Sequence, residues 1–256
     1  MTQHIRVIPC LLLYNQSLVK TVKFKNPNYI GDPINTVRIF NQMEVDELIF
    51  LDINATTLNK QPDFNFIEKI TGECFMPICY GGGIQDLQTM EKIYKIGVEK
   101  IAINTYAIEN PYFIKQASEA FGSQSIIISI DVKKNLFGKY EIYYRGKNKI
   151  KKIDLLEYVL QTENLGAGEI LLTSVDRDGT WSGYDLTLIK AVTERISIPL
   201  ICCGGAANLT DFHDAVLLAG ASAVAAGSMF VYQGKDLGVL INYPSAAELD
   251  RLFVRK

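Results

Sequence analysis

Histidine is almost missing from this chain. Its 256 residues hold two, His4 and His213, and both fall outside the candidate sites developed below. A histidine-based catalytic triad and a zinc centre are therefore not expected. Cysteine occurs as an odd set, Cys10, Cys74, Cys79, Cys202 and Cys203, with none of the paired spacings of metal or redox motifs. Four of the five lie in apolar runs and read as buried free thiols in a reducing cytoplasm. Excess charge is lacking too, since a formal net charge of -2 gives no electrostatic reason to expect nucleic acid or an anionic membrane. No run of about 18 apolar residues occurs, and "MTQHIRVIPC" lacks the apolar core of a signal peptide. The expectation is a cytoplasmic protein without a metal or an organic cofactor.

What the chain does have is alternation. Residues that are 48% hydrophobic can bury one sizeable core, so one domain over residues 1–256 is expected. Apolar runs at Ile5–Leu13, Leu48–Leu51, Met76–Tyr80, Lys100–Asn104, Ile126–Asp131, Glu169–Ser174, Leu200–Cys203 and Ala223–Ala226 alternate with amphipathic segments. Asp32 with Pro33, Asp86, Pro111, Asp185 and Asn208 start helices, and Gly97 and Gly122 stop two of them. This is the pattern of an α/β protein, a (β/α)8 TIM barrel, with a doubly wound sheet as the competing arrangement. An internal repeat favours the barrel. "CYGGGI" is echoed by "CCGGAA", "EKIAINTYAI" by "SAVAAGSMFV" and "DELIFLDINA" by "GEILLTSVDRDG", which implies two half-barrels related by a pseudo-twofold axis.

In such a barrel the ends of the strands carry function. Gly81–Gly83 with Asn104 and Thr105 in one half correspond to Gly204–Gly205 with Gly227 and Ser228 in the other. Glycine admits a close backbone approach, so each set suits a phosphate, although a glycine after a strand also makes a tight turn. A small substrate with a phosphate at each end is the implied ligand. The loop "TSVDRDGT" adds Thr173, Asp178 and Gly179 as groups that bind or orient a polar substrate, since the acidic spacing of a calcium loop is absent. Counting by twos puts Asp131 on the interior face of its strand and Leu12 across the same mouth. That geometry suits paired acid/base work with one partner missing. The stretch "CLLLYNQSLVK" reads as a strand end entering a long loop. At the opposite end the same count turns Arg6, Glu47, Lys100 and Glu169 inward. Such a charged ring is costly to desolvate unless paired, and it is either a structural plug or a gate for something small and neutral.

The motifs "GDP", "DELIFLDI", "YGGGI", "INT", "FGSQ", "GAGEILLTSVDRDGT" and "GGA" together resemble the cyclase subunit of imidazole glycerol phosphate synthase over essentially the whole chain. The resemblance implies a (β/α)8 barrel that forms a heterodimer with a glutaminase. Ammonia passes through the barrel to a bisphosphorylated ribulosyl aminoimidazole carboxamide intermediate, in a lyase-type cyclisation. It makes Arg6, Glu47, Lys100 and Glu169 the channel gate. Gly83, Asn104 and Thr105 then contact one phosphate, and Asp178, Gly179, Gly205 and Ser228 the other. Gly227 stands where the family has an alanine beside the second phosphate site, and Gly82 belongs to the first glycine turn. Lys20 matches the lysine of the first loop, and the two catalytic aspartates fall on Leu12 and Asp131. The first is therefore leucine here. "CLLL", "LVKTVKFK" and "CFMPICYGGGI" are similar to a divergent branch associated with surface-polysaccharide gene clusters. In that branch the ammonia is thought to serve amidination of a nucleotide-linked sugar by a third protein. An ordinary cyclase of histidine biosynthesis, and a silent activator of the glutaminase, remain the alternatives.

Overall fold

Short polar side chains start the helices. Asp32, Asp63, Asp86, Asp154, Asp185 and Asn208 each accept a hydrogen bond from a backbone N–H of the first turn that follows, satisfying donors that the helix leaves open. In the computed structural model, which describes residues 5–144, 149–151, 153–236 and 238–253, the chain runs as follows. β1 (Arg6–Tyr14), β2 (Ser17–Val22) and β3 (Lys25–Gly31) precede α1 (Pro33–Gln42), β4 (Leu48–Asp52) and α2 (Phe64–Thr71). β5 (Ile78–Gly81), α3 (Leu87–Lys95), β6 (Lys100–Ile103), α4 (Thr105–Glu109) and α5 (Tyr112–Phe121) complete the first half. The second half holds β7 (Ile126–Lys134), β8 (Tyr140–Tyr144), β9 (Lys149–Lys151), α6 (Leu155–Asn164), β10 (Glu169–Ser174) and α7 (Leu186–Thr193). β11 (Leu200–Cys203), α8 (Leu209–Leu217), β12 (Ala223–Ala226), α9 (Ser228–Val231) and α10 (Ala246–Phe253) follow.

Strands β1, β4, β5, β6, β7, β10, β11 and β12 pair in parallel in that order, and β12 pairs back to β1, which closes the (β/α)8 barrel. Alternation along the strands separates two cores. Val7, Leu11, Phe50, Ile128 and Leu172 point outward under the helices. Ile8, Ile49, Ile127, Leu171 and Ile201 point into the barrel, where Ala102, Ala223 and Ala225 contribute only small side chains to the layer.

The stretch from Cys10 to Lys20 is not the beginning of an irregular loop. β1 continues to Tyr14, turns at Asn15 and Gln16, and pairs antiparallel with β2, which pairs in turn with β3. The other half does the same. β7 runs beyond Asp131 to Lys134 and pairs with β8, and β8 with β9. β1 and β7 are both nine residues long and start 120 residues apart, at Arg6 and Ile126. The repeat thus extends to a hairpin at the mouth of each half. The sequence shows neither hairpin by alternation, because five of the seven residues of β3 are exposed.

Candidate functional site

The strand C-termini open into one cavity. Leu12 (β1), Lys20 (β2), Asp131 (β7), Thr173 (β10), Cys203 (β11) and Ser228 (α9) all line it. Gly82, Gly83, Asn104, Thr105, Asp178, Gly179, Gly205 and Gly227 line it as well. The sequence-derived mouth residues are therefore assembled in one place. Arg6, Glu47, Lys100 and Glu169 lie at the other end of the barrel, where their strands begin.

Both glycine turns approach neighbouring backbone closely. At Gly82 (φ +130°) a Cβ would lie 2.6 Å from the carbonyl oxygen of Asp52. At Gly205 (φ +109°) it would overlap the carbonyl of Gly183, whose N–H donates to Gly205 O at 2.8 Å. Neither position has room for a side chain, and each turn rests on the loop from the preceding barrel strand. Gly82→Ala is expected to lower stability by about 2 kcal/mol, combining left-handed strain with the clash. A thermal melt checks this, and an unchanged midpoint would show that the turn relaxes freely.

Asp131 is 7% exposed and accepts a hydrogen bond from Asn104 Nδ2 at 2.9 Å. Asn104 Oδ1 is buried and accepts none. Asp131 is thus held by the residue that opens the turn after β6. Leu12 is 8% exposed and pairs in register with Val19 on β2 and Leu51 on β4. Leu12 and Asp131 line the same cavity, Leu12 contributing hydrocarbon to its wall.

Lys20 does not present a bare ammonium. Its Nζ donates to Asp178 Oδ1 at 2.7 Å, while Thr21 Oγ1 donates to Asp178 Oδ2 at 2.9 Å. Both charges are buried, and the backbone N–H of Lys23 adds a bond to Asp178 O at 2.9 Å. The first hairpin is fastened to the loop after β10 by this pair. An incoming anion would compete with Asp178 for Lys20. Beneath them a hydrogen bond to Cys203, together with burial, pushes the Cys10 thiol well above its ordinary pKa, so Cys10 is held protonated and is a poor nucleophile.

At the floor, Arg6 Nη1 donates to Glu47 Oε2 at 2.6 Å and Arg6 Nη2 to Glu169 Oε2 at 3.0 Å. Lys100 Nζ reaches Glu47 Oε2 and Glu169 Oε1, both at 3.0 Å. The four residues alternate in sign around a closed ring. Glu47 Oε1 is buried and has no hydrogen-bond partner.

The family described as histidine biosynthesis protein matches residues 6–236. The chain belongs to this family. It is 49% identical over 245 residues, 96% of this chain and 98% of the relative, to the Pseudomonas aeruginosa protein provisionally named imidazole glycerol phosphate synthase subunit hisF2. A Vibrio vulnificus protein, provisionally named subunit hisF3, is 47% identical over 95% of this chain and 94% of its own length. Imidazole glycerol phosphate synthase subunit HisF of Alkaliphilus metalliredigens is 40% identical over 89% and 90%. Together with these relatives, the family match makes the chain a divergent HisF-like cyclase subunit.

Among the described residues, no group of histidine, cysteine and carboxylate side chains has the geometry of a metal site. No described helix is long and apolar enough to cross a membrane. His213 sits on α8 beside Asp214, away from the mouth, and His4 lies outside the described residues. Sequence reasoning missed Phe24 and Trp181, which also line the cavity. The signal was the lone tryptophan directly after "DRDGT".

Proposed function

We propose that this chain is the ammonia-conducting synthase subunit of a glutamine amidotransferase. A glutaminase docks at the strand N-terminal face, and ammonia crosses the floor ring and the apolar barrel interior to the mouth. The observation that carries the reading is the closed ring of Arg6, Glu47, Lys100 and Glu169. A ring of paired side chains can part to admit a small neutral molecule, whereas a plug built only for stability is served better by packed hydrocarbon. Phe75 supports the docking face. It lies on the loop leading into β5, at the floor end, and is 88% exposed, as an apolar anchor awaiting a partner would be.

At the mouth, a phosphorylated small molecule is bound by the two glycine turns, with Asp131 as the catalytic acid/base. Leu12 removes the second proton-transfer group, so the acceptor differs from the imidazole-forming substrate. Amidation of a nucleotide-linked sugar for a surface polysaccharide is the reaction the sequence resemblance suggests. A second reading, consistent with the names of the relatives, is an ordinary histidine-pathway cyclase.

Co-expression with the glutaminase encoded nearest to this gene is expected to give a one-to-one heterodimer and to stimulate glutamine hydrolysis. A persistent monomer with no stimulation would overturn the proposal.

A further inference from the structure

The chain's single tryptophan has no part in the chemistry described so far. Trp181 is half-buried, lines the mouth cavity and has φ +58°. A bulky side chain is an outlier in that left-handed region, and such outliers persist where the surroundings hold them, often at binding sites. The surroundings do hold it. Thr180 Oγ1 donates to Arg177 O at 2.7 Å, and Arg177 Nη1 donates to Ser182 O at 2.7 Å. The bond from Gly183 N to Gly205 O then fastens this loop to the second-half glycine turn, so the backbone that carries the indole is fixed relative to that turn. Phe24 lines the same cavity. Its backbone N–H lies 3.4 Å from Asp178 Oδ2, and its ring is braced edge-on by Tyr143 at 5.9 Å. Two aromatic rings therefore stand on the rim beside the turn, while the charged groups there, Lys20 and Asp178, are each other's partners. The faces of these two rings offer a flat apolar ring a surface to stack on.

We infer that the second half of the mouth binds a nucleotide, with its phosphate on the turn of Gly205, Gly227 and Ser228 and its base stacked on Trp181. Base–aromatic stacking tolerates any base because every base has a π-face. The inference rests on the reading of that turn as a phosphate site under Proposed function.

Because Trp181 is the only tryptophan, its fluorescence reports the event directly. UMP and AMP are expected to quench it and to bind about tenfold more tightly than ribose 5-phosphate, the gain from stacking one base. Calorimetry with Trp181→Leu should show that preference lost and the affinity for ribose 5-phosphate kept. Trp181→Gly, which suits the left-handed backbone, should behave like the leucine variant and serves if that one fails to fold. Equal affinity for nucleotides and ribose 5-phosphate, or a preference that survives both substitutions, would overturn the inference and leave the phosphate site standing. If inorganic phosphate and ribose 5-phosphate also fail to bind, the phosphate-site reading fails and takes this inference with it.

Discussion

Glu47→Ala is expected to be the most destabilising single change at the floor, costing about 3 kcal/mol and lowering the melting midpoint by roughly 10 °C. Glu47 is 2% exposed and its Oε2 accepts from both Arg6 and Lys100. Without it two cations share only Glu169 in a site largely closed to water. The estimate takes the low end of the range for a broken buried pair, because the side chains of Arg6 and Lys100 keep 24% and 18% of their exposure. Glu47→Gln retains the acceptor oxygen and is expected to lose less. In the proposed complex with a glutaminase, the alanine variant should hydrolyse glutamine while delivering less ammonia to the mouth. Calorimetric melts and the ratio of product formed to glutamine consumed check the two halves. A midpoint within about 2 °C of the unsubstituted protein would mean that water already reaches the ring and screens it.

The second large effect is expected at the mouth. Asp131→Asn should reduce any synthase activity by about 10²- to 10⁴-fold, the usual contribution of a positioned acid/base group. The acceptor bond from Asn104 can be kept by the amide oxygen, so the fold should hold while proton transfer is lost. Leu12→Asp is the converse experiment. It places a carboxyl opposite Asp131 and should raise imidazole-forming cyclisation by about 100-fold or more, if the two turns grip that substrate. The cost is an acid set against Val19 and Leu51, on the order of 2 kcal/mol of stability. Parallel melts separate that cost from the activity. No gain in a folded Leu12→Asp variant would place the block elsewhere in the mouth.

Signals that are local or periodic were legible in the sequence. Asp32, Asp86, Asp185 and Asn208 cap helices through hydrogen bonds to residues two or three positions away, so the chain order alone reveals them. The ring of Arg6, Glu47, Lys100 and Glu169 follows from a period of two and a common starting level in the barrel. The mouth hairpins were not legible. β2 carries Lys20 and Thr21 as buried polar residues, and nothing in "SLVKTV" says that they face an acid 158 and 157 residues away. The Lys20–Asp178 pair was hidden for the same reason, since each residue alone read as a contact to substrate. Trp181 was hidden differently. Its left-handed backbone lies in a loop fastened on either side by bonds from Thr180, Arg177 and Gly183, and no residue type announces it in advance.

The most direct measurement is the ammonia-dependent cyclase activity of the purified barrel, supplied with the bisphosphorylated imidazole-forming substrate and no glutaminase. On the proposed function, a mouth with Asp131 and Leu12 on its wall would position the substrate and admit ammonia, and positioning alone lowers the barrier. It cannot move protons on both sides of the closing ring. The predicted result is a residual rate far below roughly 1 per second, the low end for ordinary enzymes, which falls further with Asp131→Asn. Turnover at or above about 1 per second by the unsubstituted protein would contradict the account and make it an imidazole-forming cyclase that works without the second acid.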